Sequence, residues 1–420
     1  MTADHTVALL LDLAFVFVLS RLLGRLARRF DQPAVIGEII AGIVVGPTLF
    51  HGAITTVLFP TAVRPLLSGF ANLGVLLFMF TVGLELDRRL LRGTSRTIAW
   101  VSVGSVIPSF GFGLLLARAL RSSQPTSHTA AFILFLGLAM SVTALPVLAR
   151  ILYDRRIGRT AVGHLAVSCA AVGDVLAWSL LAVVTLLAGE HTQQWRFLVV
   201  PPFVLALFLA RPLLRRLMAK AEADDSTAGL FAVVLVGLLV SGAVTQWVGM
   251  HFIFGAFLFG LLLPKDNYDA VRAEILRSVQ RMGITLLMPV YFVIAGLQVD
   301  LSKVDNRDLA WFGLIMLVAM GGKFGGVFAA ARSLSIRPRQ AAALATLLNT
   351  RGLTELVILS VGLQAGLLDQ ELYSLMVLMT VVTTSLAGPL LRLFCPDDSV
   401  LNDLGPRHEL PTTDLATSRT

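Results

Sequence analysis

The sequence predicts an all-α polytopic membrane protein of about 13 transmembrane helices, laid out as six-plus-six inverted repeats around one linking helix. Three observations carry that expectation. Of 420 residues, 56% are hydrophobic and only 14% charged, against about 45–50% and 25% in soluble globular domains. The apolar residues run in long blocks, which excludes a soluble enzyme and a disordered chain. The basic residues, finally, favour alternate loops between those blocks.

A bilayer core about 30 Å thick needs roughly 20 apolar residues per helix. On that rule spans fall near 6–23, 34–50, 66–86, 97–118, 129–150, 163–188, 196–211, 227–246, 251–264, 283–299, 309–331, 340–365 and 371–395, the second and ninth being short and Gly-rich. With these spans, 26 of the 34 Lys and Arg residues lie on one side and 6 on the other, leaving Lys323 and Arg351 inside helices. The positive-inside rule then places the N-terminus outside and the C-terminus in the cytoplasm of a cell (inner) membrane. The same pattern explains the net charge of +8 without a nucleic-acid partner. Arg outnumbers Lys, as in GC-rich bacterial genomes. Cys169 and Cys395 lie in different spans and imply no disulfide framework.

Opposed termini and an odd count suit repeat one at about 6–188, the linking helix at about 196–211 and repeat two at about 227–395, an inverted-repeat transporter plan. Residues 396–420, rich in Asp, Pro, Thr and Ser, read as a short disordered cytoplasmic tail. The first apolar block lacks the basic flank of a cleaved signal and is expected to be retained. No Gly-rich nucleotide fingerprint follows the membrane part.

Ionisable residues at hydrocarbon depth are costly and mark ion pathways. Several of the candidates lie near span ends, where snorkelling is the plainer account. His164 and His251 sit at span edges, and Glu85 is expected to pair with Arg88 and Arg89. Asp12, about a third of the way into span one, is placed to face an aqueous vestibule, and Glu38 lies in the short second span. Asp174 differs, being mid-span with about two apolar turns on either side. Such a carboxylate must be protonated, paired or bound to a cation. Two spans are also interrupted. Ser141-Val-Thr143-Ala-Leu-Pro146 sets a proline in mid-helix, freeing carbonyls near Val142–Thr143. Asn349-Thr-Arg351-Gly352-Leu-Thr-Glu355 gathers polar groups and Gly at membrane depth. The interruptions fall in the fifth helix of each expected repeat, a pointer to a transport site. Lys323, among glycines, and Arg351 are buried cations that can balance half-helix C-termini and nearby carboxylates. Arg351 and Glu355, four apart on one helix face, suit a structural pair and a functional one equally.

These segments resemble the monovalent cation:proton antiporter superfamily, in the branch of the Kef-type potassium efflux proteins and plant cation/proton exchangers. The resemblance covers roughly 8–395. It is carried by Val35-Ile-Gly-Glu38, Leu73 through Asp87, Ser141 through Arg150, His251-Phe-Ile-Phe-Gly-Ala-Phe257, Pro289 through Leu297, and Asn349 through Glu355. It implies a sodium/proton antiporter fold with two crossed discontinuous helices, a homodimer, and elevator-type movement of a core domain. It also implies an essential sixth-helix aspartate at Asp174 and a basic residue at Lys323. Gly173 stands where the family usually has Asp, Asn or Gln, which leaves one carboxylate and suggests electroneutral exchange.

The expected function is exchange of a monovalent cation, Na⁺ or K⁺, for protons. Asp174 and Thr143 are the ion-binding residues, Asp174 being the metal ligand for the transported ion, and Lys323, Arg351 and Glu355 provide charge balance. Pro146, Asn349 and Gly352 break helices, with Ser141, Gly173 and Glu38 in support. The expected partners are the cation, protons, the bilayer and a second copy. No cofactor and no enzymatic activity are expected. A gated potassium pathway, or the same fold moving an organic cation or secreted metabolite, is the alternative.

Overall fold

The computed structural model describes residues 3–30, 32–48, 55, 58–60, 62–85, 96–121, 128–155, 157–158, 160–188, 198–223, 228–248, 251–264, 269–302 and 305–395. The expected tail, 396–420, lies outside them, as does the Glu85 side chain.

All regular secondary structure among the described residues is helical. In chain order come α1 (Ala3–Arg29), α2 (Ala34–Val45), α3 (Arg64–Glu85), α4 (Arg96–Leu120), α5 (Thr129–Ser141), α6 (Leu145–Asp154), α7 (Ala161–Ala188) and α8 (Val200–Ala223). There follow α9 (Ala228–Val248), α10 (Phe252–Leu262), α11 (Asp269–Met282), a π-helical turn (Gly283–Leu287) and α12 (Met288–Leu297). The chain continues through α13 (Asn306–Ser333), α14 (Pro338–Leu348), α15 (Leu353–Gln364) and α16 (Gln370–Phe394).

Among the described residues, seven helices (α1, α3, α4, α7, α9, α13 and α16) are long and apolar enough to cross a membrane, and counting the α14–α15 pair, bent by 42°, as one span makes eight. The expected count of thirteen is therefore not reproduced by length and composition. Four other apolar helices, α2, α5, α10 and α12, are shorter. An 11-residue helix such as α10 reaches only about 17 Å. The expected linking span also changes: α8 starts at Val200, continues to Ala223, and carries Arg211, Arg215, Arg216 and Lys220 from its midpoint onward. Residues 265–282, assigned to a loop from their charges, include the helix α11. Val271, Ile275 and Val279, spaced by four, are its buried stripe.

Packing pairs α4 with α13, α3 with α10, α2 with α12, and α4 with α5. Small residues set the closest approach. A Cβ at Gly326 of α13 would lie 2.2 Å from the Gly104 carbonyl oxygen of α4. Only glycine fits there, and that contact helps hold α13, and with it Lys323, inside the bundle. Asp305 caps α13, accepting from the amides of Arg307 (2.8 Å) and Asp308 (2.9 Å), while Asp308 accepts in return from the Asp305 amide.

Candidate functional site: two interrupted helices and a buried carboxylate

The first interruption separates α5 from α6 over residues 142–144, where Val142 turns to extended backbone (φ −72°, ψ 144°). Pro146 is the second residue of α6, a first-turn position that needs no intrahelical N–H. The second interruption lies between α14 and α15, residues 349–352. Gly352 has φ 154°, and a Cβ there would meet Val147 Cγ2 at 2.6 Å. Glycine is required on both counts.

The two interruptions touch. The Ala144 amide donates to the Thr350 carbonyl at 3.0 Å, and the Thr143 hydroxyl donates to the Leu348 carbonyl at 2.8 Å. Groups released from one helix thus satisfy groups released from the other.

The C-terminal end of α5 is met by two cations. Arg351 Nη1 donates to the Ala139 carbonyl and Nη2 to the Met140 carbonyl, each at 2.8 Å. Lys323 Nζ donates to the Ser141 carbonyl. These carbonyls belong to the last turn, which has no helical N–H to bond, and they carry the negative end of the helix dipole. Lys323, with no side chain at Gly173 to pair with, thus has a backbone carbonyl as its hydrogen-bond partner. Arg351 Nη1 also pairs with Glu355 Oε2 at 2.6 Å, both residues being fully buried.

Thr384 of α16 holds the second interruption from its other side. Its hydroxyl accepts from the Arg351 amide (3.1 Å) and donates to the Arg351 carbonyl (2.7 Å). Sequence reasoning passed over this residue. The available signal was the run of hydroxyls Thr380, Thr383, Thr384 and Ser385 in mid-span.

Asp174 lies at the centre of α7 and is 3% exposed. Its Oδ1 is buried with no hydrogen-bond partner, and Lys323 is the charge that acts on it. No hydrogen bond joins it to Thr143. A Cβ at the neighbouring Gly173 would meet nothing within 4 Å, so the place where the resemblance expects a second polar side chain is open space. Asn349 Oδ1 is likewise buried and unpartnered.

Ser141, Thr143, Lys323, Asn349, Arg351, Gly352 and Glu355 thus gather around the two interruptions, with Asp174 coupled to them through Lys323. Glu38 stands apart, on α2 in the field of Arg21 and Arg28. Its neighbours Ile36 and Ile39 line a cavity shared with Val147, Arg351, Gly352, Thr380 and Thr384, a lining that does not include Glu38.

A family profile described as "Sodium/hydrogen exchanger, transmembrane" matches residues 15–395. A Na(+)/H(+) antiporter, NhaS4, of Synechocystis is 35% identical over 93% of this chain and 98% of its own. Cation/H(+) antiporter 17 of Arabidopsis thaliana is also 35% identical, over 94% of this chain but 50% of its own length. K(+)/H(+) antiporter 1 of Saccharomyces cerevisiae is 32% identical over 87% of this chain and 44% of its own. The chain therefore spans about half of the plant and yeast relatives. The solved sodium proton antiporter MjNhaP1 of Methanocaldococcus jannaschii at pH 8 shares the fold, with a TM-score of 0.68 at 14% identity over 95% of this chain and 99% of that one.

Proposed function

The chain belongs to the transmembrane sodium/hydrogen exchanger family, and we propose on that footing that it exchanges a monovalent cation, Na⁺ or K⁺, for protons across a cell membrane. Asp174 is the shared carboxylate. The observation that carries this reading is a carboxylate in mid-span, 3% exposed and with its Oδ1 lacking a hydrogen-bond partner, in the field of Lys323, whose ammonium bonds the Ser141 carbonyl at the edge of two touching helix interruptions.

The chemistry follows from desolvation. An uncompensated charge at this depth costs several kcal/mol, so Asp174 is at ease only when it holds a proton or a cation. Either load neutralises it and lets the core move; the empty carboxylate resists the movement. Competition for one group enforces exchange, and a single carboxylate makes it one for one and electroneutral. Thr143, whose hydroxyl hydrogen is committed to Leu348, keeps oxygen lone pairs for a cation. The Asn349 carbonyl oxygen is a second neutral ligand. Lys323, Arg351 and Glu355 balance the end of α5 while the load changes.

The reading includes an elevator-type movement, a homodimer, two inverted repeats, and termini placed outside (N) and inside (C). In everted vesicles carrying the protein, a fluorescent pH-gradient probe should dequench on addition of Na⁺ or K⁺, with Li⁺, Rb⁺ and organic cations defining selectivity. A membrane-potential clamp should leave the rate unchanged. Asp174→Asn should abolish the signal at unchanged expression; exchange that persists in this variant refutes the assignment. A potassium pathway would instead give flux indifferent to an opposing proton gradient.

A further inference from the structure

Asp174 is not the only buried polar group of α7 without a partner. The indole Nε1 of Trp178, a residue 2% exposed, has none either. The two residues are four apart on one uninterrupted helix, Ala161–Ala188, so they share a face with Cβ atoms about 5–6 Å apart. Helical side chains lean towards the N-terminus, which lays the indole over the turn that carries Asp174. An orphan N–H donor and an orphan carboxylate oxygen therefore occupy one turn of one helix. The two are not bonded to each other here, and a bond between them would relieve the desolvation cost of both.

Competing donors are accounted for. Lys323 of α13 acts on Asp174 through its charge but gives its hydrogen bond to the Ser141 carbonyl. Among the described residues, α7 packs chiefly on α4, α5, α6 and α14. Their ionisable residues include Arg96 and Arg118 near the ends of α4 and Arg339 in the first turn of α14, while the side chains of Arg150, Tyr153 and Asp154 of α6 fall outside the described residues. On α7 itself, His164 lies in the first turn and Cys169 donates to the Ile98 carbonyl at 3.7 Å. On the far side of Asp174, Trp178 belongs with Ala177 and Leu181 to the larger apolar cluster, so its N–H faces few other acceptors.

We propose that Trp178 is a positioning residue for the exchange: its indole N–H donates to the Asp174 carboxylate, directly or through one water, whenever that carboxylate is without its proton. The inference rests on the reading of Asp174 as the exchanging group. It makes the indole a determinant of the pH at which the cation displaces the proton. A donor that bonds only the anion favours release of the proton. Without it the carboxylate keeps its proton to higher pH, and the cation competes less well at any fixed pH.

The test is Trp178→Phe, which keeps an aromatic ring and removes the N–H, assayed in the everted-vesicle system with NaCl and with KCl between pH 6.5 and 9. A charge-assisted hydrogen bond of this kind corresponds to about one pH unit. The expected result is a profile moved by about that much to the alkaline side, with apparent cation affinity at pH 7.5 lowered by about tenfold and maximal rate at alkaline pH retained. A second readout does not depend on transport. The chain has five tryptophans, and the emission change produced by saturating cation in purified protein should vanish in Trp178→Phe while persisting in Trp100→Phe. An unshifted profile overturns the proposal, as does a cation-induced emission change that survives in Trp178→Phe. If Trp178→Phe fails to accumulate, the emission of the parent protein decides: a cation-dependent change lost in Asp174→Asn supports the proposal, and no change overturns it. If Asp174→Asn still exchanges, the carrier reading falls and this inference with it. If that variant is inactive while Trp178→Phe titrates like the parent, only the indole inference falls.

Discussion

Arg351 is fully buried and makes five side-chain and backbone hydrogen bonds: to Ala139, Met140 and Glu355 through its guanidinium, and twice to Thr384 through its own backbone. Removing one member of a buried ion pair leaves the other uncompensated, at a cost of about 3–5 kcal/mol. Arg351→Met should therefore unfold in detergent at markedly lower temperature than the parent, whereas Asp174→Asn, which removes a charge that has no hydrogen-bond partner, should not. Gly173 offers the opposite experiment. Since a Cβ there meets nothing, Gly173→Asp should fold, supply a second carboxylate beside Asp174, and turn exchange electrogenic. A membrane-potential clamp would read this as a rate that responds to voltage. At this scale the sequence was informative about charge. Asp174, Lys323, Arg351 and Glu355 announce themselves as ionisable residues in apolar surroundings. Their bonding partners do not, because backbone carbonyls such as that of Ser141 leave no trace in residue identity.

At the scale of the element, the interruptions rest on Gly352 and Thr384. Gly352→Ala combines a strained φ with a 2.6 Å approach to Val147 and should cost about 1–3 kcal/mol, lowering both thermal stability and the maximal exchange rate. Thr384→Val loses the two hydrogen bonds to Arg351 but keeps the shape, and should lower the exchange rate several-fold; Thr384→Ser, which retains the hydroxyl, should restore it. A Val variant as active as the parent would show that the clamp is dispensable. Both interruptions were legible as Pro, Gly and polar residues at hydrocarbon depth, where irregular backbone must line a cavity or be buried in protein. The amphipathic helix α11 was not. Its charged face dominates residues 265–282, and a window tuned to uniform hydrophobicity misses a stripe of three apolar residues.

Across the whole molecule, hydrogen bonds join α12 and the residues just after it to the α15–α16 pair. The hydroxyls of Tyr291 and Ser360 lie 3.1 Å apart, and Tyr373 donates to the Ala295 carbonyl at 3.1 Å. The Asp300 amide donates to Ser374 at 2.9 Å. If α12 belongs to the static part and α15–α16 to the moving one, these bonds must break in each cycle. Tyr291→Phe with Tyr373→Phe should then change the turnover rate while leaving apparent cation affinity within about twofold, as kinetics in the vesicle assay would show. The overall class was plain from composition, because no soluble fold tolerates such long apolar blocks. The sequence reads a span at each of α2, α5, α10 and α12, but as helices of 10–13 residues they are too short to count as crossings by length alone, so the expected thirteen is not confirmed.

The stitching of the two interruptions, Ala144 to Thr350 and Thr143 to Leu348, has a mechanical consequence. Segments from distant parts of the chain are fastened together at their weakest points, so a push on either is delivered to both. The two interruptions thereby form a single unit, and a ligand that wedges one of them displaces the other without touching it.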